Sequence, residues 1–135
     1  MNGVSRSVRL PNASLEEVWE VAGSFQQLHG WHPGVESTEI DKSDDKVVRR
    51  LNLKDGGVIV EELRVTGNGF YDYAIIDGPL PVKDYHSQLS VGRDASGCVV
   101  VIWCCVFDSL SEHAEEVVAG IYQAGLDASK ERFGS

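Results

Sequence analysis

The chain has no apolar run long enough to cross a membrane as a helix: its longest, Val99 to Phe107, is far short of the roughly 20 residues such a span needs. A basic cluster is missing as well. Lysines and arginines are scattered, and a formal net charge of −9 would repel a phosphate backbone, so nucleic acid is not an expected partner. Met1 to Pro11 shows no basic segment followed by an apolar one, so it does not read as a secretory signal, and the expected location is cytoplasmic. Cysteine is scarce. Cys98, Cys104 and Cys105 are odd in number and share one extended stretch in which neighbours point to opposite faces, so they form no evident disulfide framework and read as buried, reduced thiols. His29 and His32 have no third ligand placed beside them, so no metal is expected. There is no G-x-S-x-G elbow and no cysteine with a positioned partner, which removes the usual signs of nucleophilic catalysis. Asp55-Gly56-Gly57 and Gly67-Asn68-Gly69 open no helix and read as turns, not phosphate loops, and no cofactor is expected. Internal repeats, linkers and low-complexity segments are absent.

What remains is an ordinary globular composition, 42% hydrophobic and 24% charged over 135 residues, enough for a single domain over residues 1–135 with one core and one cavity. Val4 to Leu10 alternates as a first strand ending at Pro11. Ser14 and Glu17 form a capping box, with Val18, Trp19 and Ala22 on one helical face. After Gly23 a second short helix is predicted over Phe25 to Leu28. From Val35 the period changes to two, and six strands are predicted: Val35–Asp41, Val47–Leu53, Val58–Thr66, Phe70–Ile76, Lys83–Gly92 and Cys98–Phe107. The joints carry turn residues, as in Asp44-Asp45 and Gly67-Asn68-Gly69; the loop at Gly78-Pro79-Leu80-Pro81 is longer. Ser109 and Glu112 predict a second capping box opening a long helix, with Val117, Val118, Ile121, Gly125 and Ala128 at helical spacing. Glu112, Glu115 and Glu116 fall in its first turns and Lys130 and Arg132 in its last, matching the helix dipole.

In that order the elements resemble the START-like, or Bet v 1-like, superfamily (SRPBCC), specifically its bacterial polyketide cyclase/dehydrase and lipid-transport group. The resemblance is carried by Leu10 to Ser37, where Val18-Trp19 and Trp31-His32-Pro33 are similar to that group's recurring VW and WHP pattern. It implies an α+β helix-grip fold: a seven-stranded curved antiparallel sheet, two short helices, and a long C-terminal helix over a cavity. A more distant resemblance, to the plant abscisic acid receptors, covers Lys54 to Asp108, through EELRV and the run Asp72 to Ser87. It implies a gate at Lys54, Asp55, Gly56 and Gly57 and a latch at Gly78, Pro79, Leu80 and Pro81. The gate lacks the receptors' Leu-Pro, so hormone signalling is not implied.

Strand alternation gives the pocket independently. Ile59, Glu61, Leu63 and Val65 share one face, which places the Glu61 carboxylate among apolar neighbours, where it must be paired, hydrogen-bonded or protonated. Tyr71, Tyr73 and Ile75 share a face, as do Tyr85, Ser87, Leu89 and Val91, and as do Val99, Val101, Trp103, Cys105 and Phe107. The expected ligand-binding set has Trp31, Tyr73, Trp103 and Tyr122 as walls and His32, Glu61 and Tyr85 at a polar end. Leu63, Tyr71, Ile75, Ser87, Val118 and Ile121 complete it. The leading reading is binding or transport of a small hydrophobic molecule such as a lipid, an isoprenoid or an aromatic polyketide, by a monomer or weak homodimer. Cyclase or dehydratase chemistry with His32, Glu61 or Tyr85 as acid or base is the alternative. A regulatory module whose latch docks a partner is the third.

Overall fold

A computed structural model describes residues 1–134. Alternating apolar residues form β1 (Asn2–Leu10), β2 (Val35–Ser43), β3 (Lys46–Leu53) and β4 (Val58–Gly67). β5 (Phe70–Asp77), β6 (Val82–Arg93) and β7 (Val99–Ser109) follow the same rule. All pair antiparallel in one seven-stranded sheet of order β1-β7-β6-β5-β4-β3-β2, so the last six strands form a meander and β1 joins it through β7. Between β1 and β2 lie helix α1 (Leu15–Ala22) and a 3-10 segment (Phe25–Gly30), and helix α2 (Ala114–Phe133) ends the fold. The whole is an α+β helix-grip architecture.

Turn chemistry sets the register. Asp44 and Asp45, both at positive φ, make the tight β2–β3 hairpin. Gly69, at φ +82°, turns β4 into β5, where a Cβ would meet the Val91 carbonyl at 2.8 Å. In the β6–β7 loop the Asp94 carboxylate accepts from the Ser96 and Cys98 amides and the Ser96 hydroxyl; these bonds hold its pKa down at about 2.

The capping box of α1 forms as expected: Ser14 Oγ accepts from the Glu17 amide while Glu17 accepts from the Ser14 amide. The one expected at Ser109 and Glu112 does not. β7 runs on to Ser109, which pairs with Val82, and α2 starts at Ala114, with the Ser111 hydroxyl taking the His113 amide. Glu112 therefore lies before the helix, whose acidic first turn is Glu115 and Glu116.

The core lies between the sheet and α2, which packs mainly on β1 and β7 and buries Val118, Tyr122, Leu126 and Ser129. Burial of Val118 or Leu126 contributes about 1.5–3 kcal/mol each. The β4–β5 register shifts twice: at Val60/Glu61 the extra residue is on β5, and at Leu63/Val65 it is on β4. The second reverses the alternation: Leu63 is half-buried and Val65, expected inward, is 50% exposed. Cysteine burial is also less than expected. Only Cys105 is buried; Cys98 and Cys104 are half-buried, and all are free thiols.

Candidate functional site

A cavity of about 600 Å³ lies between the inner face of the sheet and α2. Its sheet wall comes from Leu51 and Leu53 of β3, Ile59 and Glu61 of β4, and Tyr73 and Ile75 of β5. Tyr85 of β6, Trp103 of β7 and Val117, Val118, Ile121 and Tyr122 of α2 face them. The loop before β2 adds His32 and Gly34, the first residue of β2 adds Val35, and the 3-10 segment adds Leu28. Lys54, Asp55, Pro79, Leu80 and Pro81 stand at the mouth, where a Cβ at Gly57 would sit 3.6 Å from Pro79 Cγ, so the β3–β4 and β5–β6 loops meet. A depression of similar volume, rimmed on the outer face by Ser5, Arg64, Asp72, His86 and Val106, all exposed or half-buried, reaches in to the buried Tyr73 and Ser87; it is a more open surface groove.

Of the expected ligand-binding set, His32, Glu61, Tyr73, Ile75, Tyr85 and Trp103 line the cavity, as do Val118, Ile121 and Tyr122. Trp31, Leu63, Tyr71 and Ser87 do not. Trp31 packs behind the wall on Trp103, with ring centroids 5.6 Å apart. Leu63, at the edge of the bulge, faces a shallow cleft beside Trp19 and Phe25. Tyr71 is sealed under Arg49, and Ser87 sits behind Tyr122. In the loops Gly56, Gly57 and Gly78 stay off the lining while Asp55, Pro79, Leu80 and Pro81 are on it.

Glu61 is buried and paired. Arg49, directly opposite it in the β3–β4 register and fully buried, donates from Nε to Glu61 Oε1 at 2.7 Å. Its Nη1 donates to the Phe25 carbonyl at 2.9 Å and to the Tyr71 hydroxyl at 3.3 Å, and its guanidinium lies 4.1 Å from the Phe25 ring centroid and 4.8 Å from that of Tyr73. Burial pushes the Glu61 carboxyl above its ordinary value, and the Arg49 cation opposes the rise. Sequence reasoning missed Arg49. The signal was present, since Val47, Arg49 and Leu51 alternate in β3 and the inward acid needed a cation opposite it.

The other polar groups also serve one another. His32 Nε2 donates to the Ile121 carbonyl at 2.7 Å and Nδ1 accepts from the Gly34 amide at 3.0 Å, which fixes the neutral Nε2–H tautomer. Burial lowers the His32 pKa, against the raising effect of the Ile121 bond. The imidazole reaches α2 because residue 125 is glycine: a Cβ there would meet His32 Cδ2 at 2.8 Å and the Trp31 and Trp103 rings at 3.0 Å. Trp103 stacks on Tyr122 with ring centroids 4.3 Å apart and donates its indole N–H to the Tyr73 hydroxyl at 3.0 Å. Tyr85 and Tyr122 share a hydrogen bond, Tyr122 and Ser87 another at 2.8 Å, and Ser87 donates to the Cys104 carbonyl at 2.9 Å. Burial pushes the Tyr73, Tyr85 and Tyr122 phenols up, so all three are neutral near pH 7. Among the described residues no group of His, Cys, Asp and Glu is arranged to hold a metal ion, and no helix is long and apolar enough to cross a membrane.

Solved structures share this fold. XoxI from Bacillus cereus is 31% identical over 98% of this chain and 96% of its own, with a TM-score of 0.89. An uncharacterised protein from Bacillus thuringiensis is likewise 31% identical, covers 98% of each chain, and has a TM-score of 0.89. The Zhui aromatase/cyclase from a Streptomyces species shares the fold at 15% identity, with a TM-score of 0.75 over 98% of this chain and 93% of that one. No significant match is found among curated proteins. The family described as polyketide cyclase / dehydrase and lipid transport matches residues 1–134. With that match over the whole described chain, and with relatives of the same architecture, the protein belongs to the polyketide cyclase/dehydrase and lipid-transport family of the Bet v 1-like superfamily.

Proposed function

We propose that the protein binds and carries a small, largely apolar molecule in the cavity, with residues 1–135 acting as one unit. The observation that supports this best is a space of about 600 Å³ between the sheet and α2, within the range for small-molecule sites, whose buried polar groups are nearly all committed to other protein groups. His32 in particular has both ring nitrogens on backbone partners, which leaves it nothing with which to exchange a proton with a ligand. Trp103, Tyr122 and Ile121 supply the apolar wall and Pro79 to Pro81 the cover. A second reading, cyclase or dehydratase chemistry, draws on one observation: Glu61, with its raised carboxyl, lines the same cavity as Tyr85.

The test is titration with Nile red, a neutral apolar dye whose emission rises and shifts blue in a dry site. A saturable increase is expected in the native protein, with loss of binding in a folded Val118→Trp variant that fills the space between α2 and the sheet. Equal dye binding by Val118→Trp would sink the proposal. Native mass spectrometry after exposure to a lipid and metabolite extract separates the two readings: an unchanged bound mass supports carriage, a shifted one the enzyme.

A further inference from the structure

The bond from Ser87 to the Cys104 carbonyl sets a direction for the hydrogen-bond chain that leads off the cavity wall. A carbonyl cannot donate, so the bond between Ser87 and the Cys104 carbonyl uses the one hydroxyl proton of Ser87. Ser87 must then accept from Tyr122, and Tyr122, its own proton spent, must accept from Tyr85. Every proton in the series therefore points away from the cavity. Tyr85, at the head of the chain and on the cavity wall, spends its proton on Tyr122 and keeps lone pairs for a donor, beside the Cys105 thiol that touches both phenols.

Charge points the same way. Glu61, a buried anion on the wall, is matched by Arg49; Arg49 Nη2 has no partner of its own, but Arg49 is off the cavity lining and both His32 nitrogens are taken, so among the described residues no buried cation faces an acidic ligand there. Lys54 stands at the mouth and is exposed. A carboxylate carried inside would be desolvated with no cation to meet it. A hydroxyl would lose nothing, since the Tyr85 oxygen can take its proton.

From this polarity we infer that the ligand carries a neutral hydrogen-bond donor, an alcohol or phenol on an apolar frame, which it gives to the Tyr85 oxygen. Ser87, which does not touch the cavity, sets this preference by fixing the direction of the chain. The inference rests on the cavity being a binding site, and it narrows the ligand class from apolar to hydroxylated and uncharged.

Three probes with one ring frame test it by Nile red displacement: 2-naphthol, 2-methoxynaphthalene and 2-naphthoate. Naphthol should bind about tenfold tighter than the methoxy compound, which cannot donate, and naphthoate should be weakest. Ser87→Ala is the deciding variant. Without the Ser87 acceptor Tyr122 turns its proton to Tyr85, Tyr85 offers its own to the cavity, and the naphthol advantage should collapse or reverse. Ser87→Thr, which keeps the hydroxyl, should restore the native order, whereas a merely structural role for Ser87 would weaken all probes alike. Tyr85→Phe should lose the naphthol preference and keep binding the methoxy compound. Equal affinity for naphthol and methoxynaphthalene, tighter binding of naphthoate, or an unchanged ratio in Ser87→Ala would overturn the inference while leaving the cavity as a binding site. Failure of Nile red and all three probes to bind would overturn both.

Discussion

Replacing Glu61 by leucine leaves Arg49 as a cation with no carboxylate, in a cage made by Phe25, Tyr71 and Tyr73 and closed to water. Arginine cannot shed its proton at any pH a protein survives, so the charge stays and its desolvation is uncompensated. Breaking a buried pair from one side costs about 3–5 kcal/mol. With a urea m-value of about 2 kcal/mol/M, the unfolding midpoint should fall by about 2 M. Arg49→Met breaks the pair from the other side and also strips the Phe25 carbonyl of its donor, but Glu61 can escape by taking up a proton. Its folded pKa then lies above the unfolded value of about 4.3. Such a group stabilises fully below the unfolded pKa and loses that contribution as pH rises through the folded one, so Arg49→Met should be most stable near pH 4 and weaken towards pH 8. Glu61→Leu has no such group and should lack that slope. The double variant should recover at least about 2 kcal/mol relative to the sum of the singles. Urea melts of the four proteins at pH 5 and pH 8 complete the cycle. A Glu61→Leu protein within about 0.5 kcal/mol of native, or additive singles, would refute the reasoning that the pair is buried and interdependent.

Further outcomes follow from the same geometry. Gly125→Ala, which in an exposed helix would stabilise by about 0.5–1 kcal/mol, should here destabilise by about 1–3 kcal/mol, because the new methyl meets His32, Trp31 and Trp103; thermal melting reads the sign. Because burial lowers the His32 pKa in the folded state, the native protein holds that stability fully above the unfolded value of about 6.5 and loses it as pH falls below. Melting temperatures at pH 7.5 and pH 5.5 should show the drop. His32→Asn should flatten it, and an unchanged slope in that variant would place the titration elsewhere.

Strand positions were legible because a period of two, broken by Asp-Asp, Gly-Asn-Gly and Asp-Ala-Ser-Gly, has few other solutions. Six inward residues across β5, β6 and β7, Tyr71, Tyr73, Tyr85, Ser87, Trp103 and Phe107, followed from that period alone. Where it failed, the cause was local. A bulge adds one residue to β4 and turns Val65 outward, which composition does not announce. Ser109 and Glu112 have capping spacing, but sheet pairing with Val82 claims Ser109 first. In the run Val47-Val48-Arg49-Arg50-Leu51 one arginine must face inward, and only its partner across the strand pair says why. Tyr85 and Tyr122 lie 37 residues apart, so their contact belongs to the tertiary fold and left no mark in spacing.

A cavity of this size is a standing invitation to collapse, since its walls forgo dispersion contacts they would regain by closing in. The polar ties resist this. Large wall residues are fastened to other protein groups: Trp103 to Tyr73, Tyr122 to Ser87, His32 to the α2 backbone, Glu61 to Arg49. For any of these groups to swing into the space it must leave a buried donor or acceptor unmet, at about 1–3 kcal/mol. The same ties that withdraw His32 and Ser87 from chemistry with a ligand therefore keep the space open for one. Purely apolar walls of equal volume would lack this constraint and could repack into the gap, giving stability at the expense of the site. On this argument the hydrogen bonds of the aromatic wall are the part of the fold that makes a receptacle rather than a filled core.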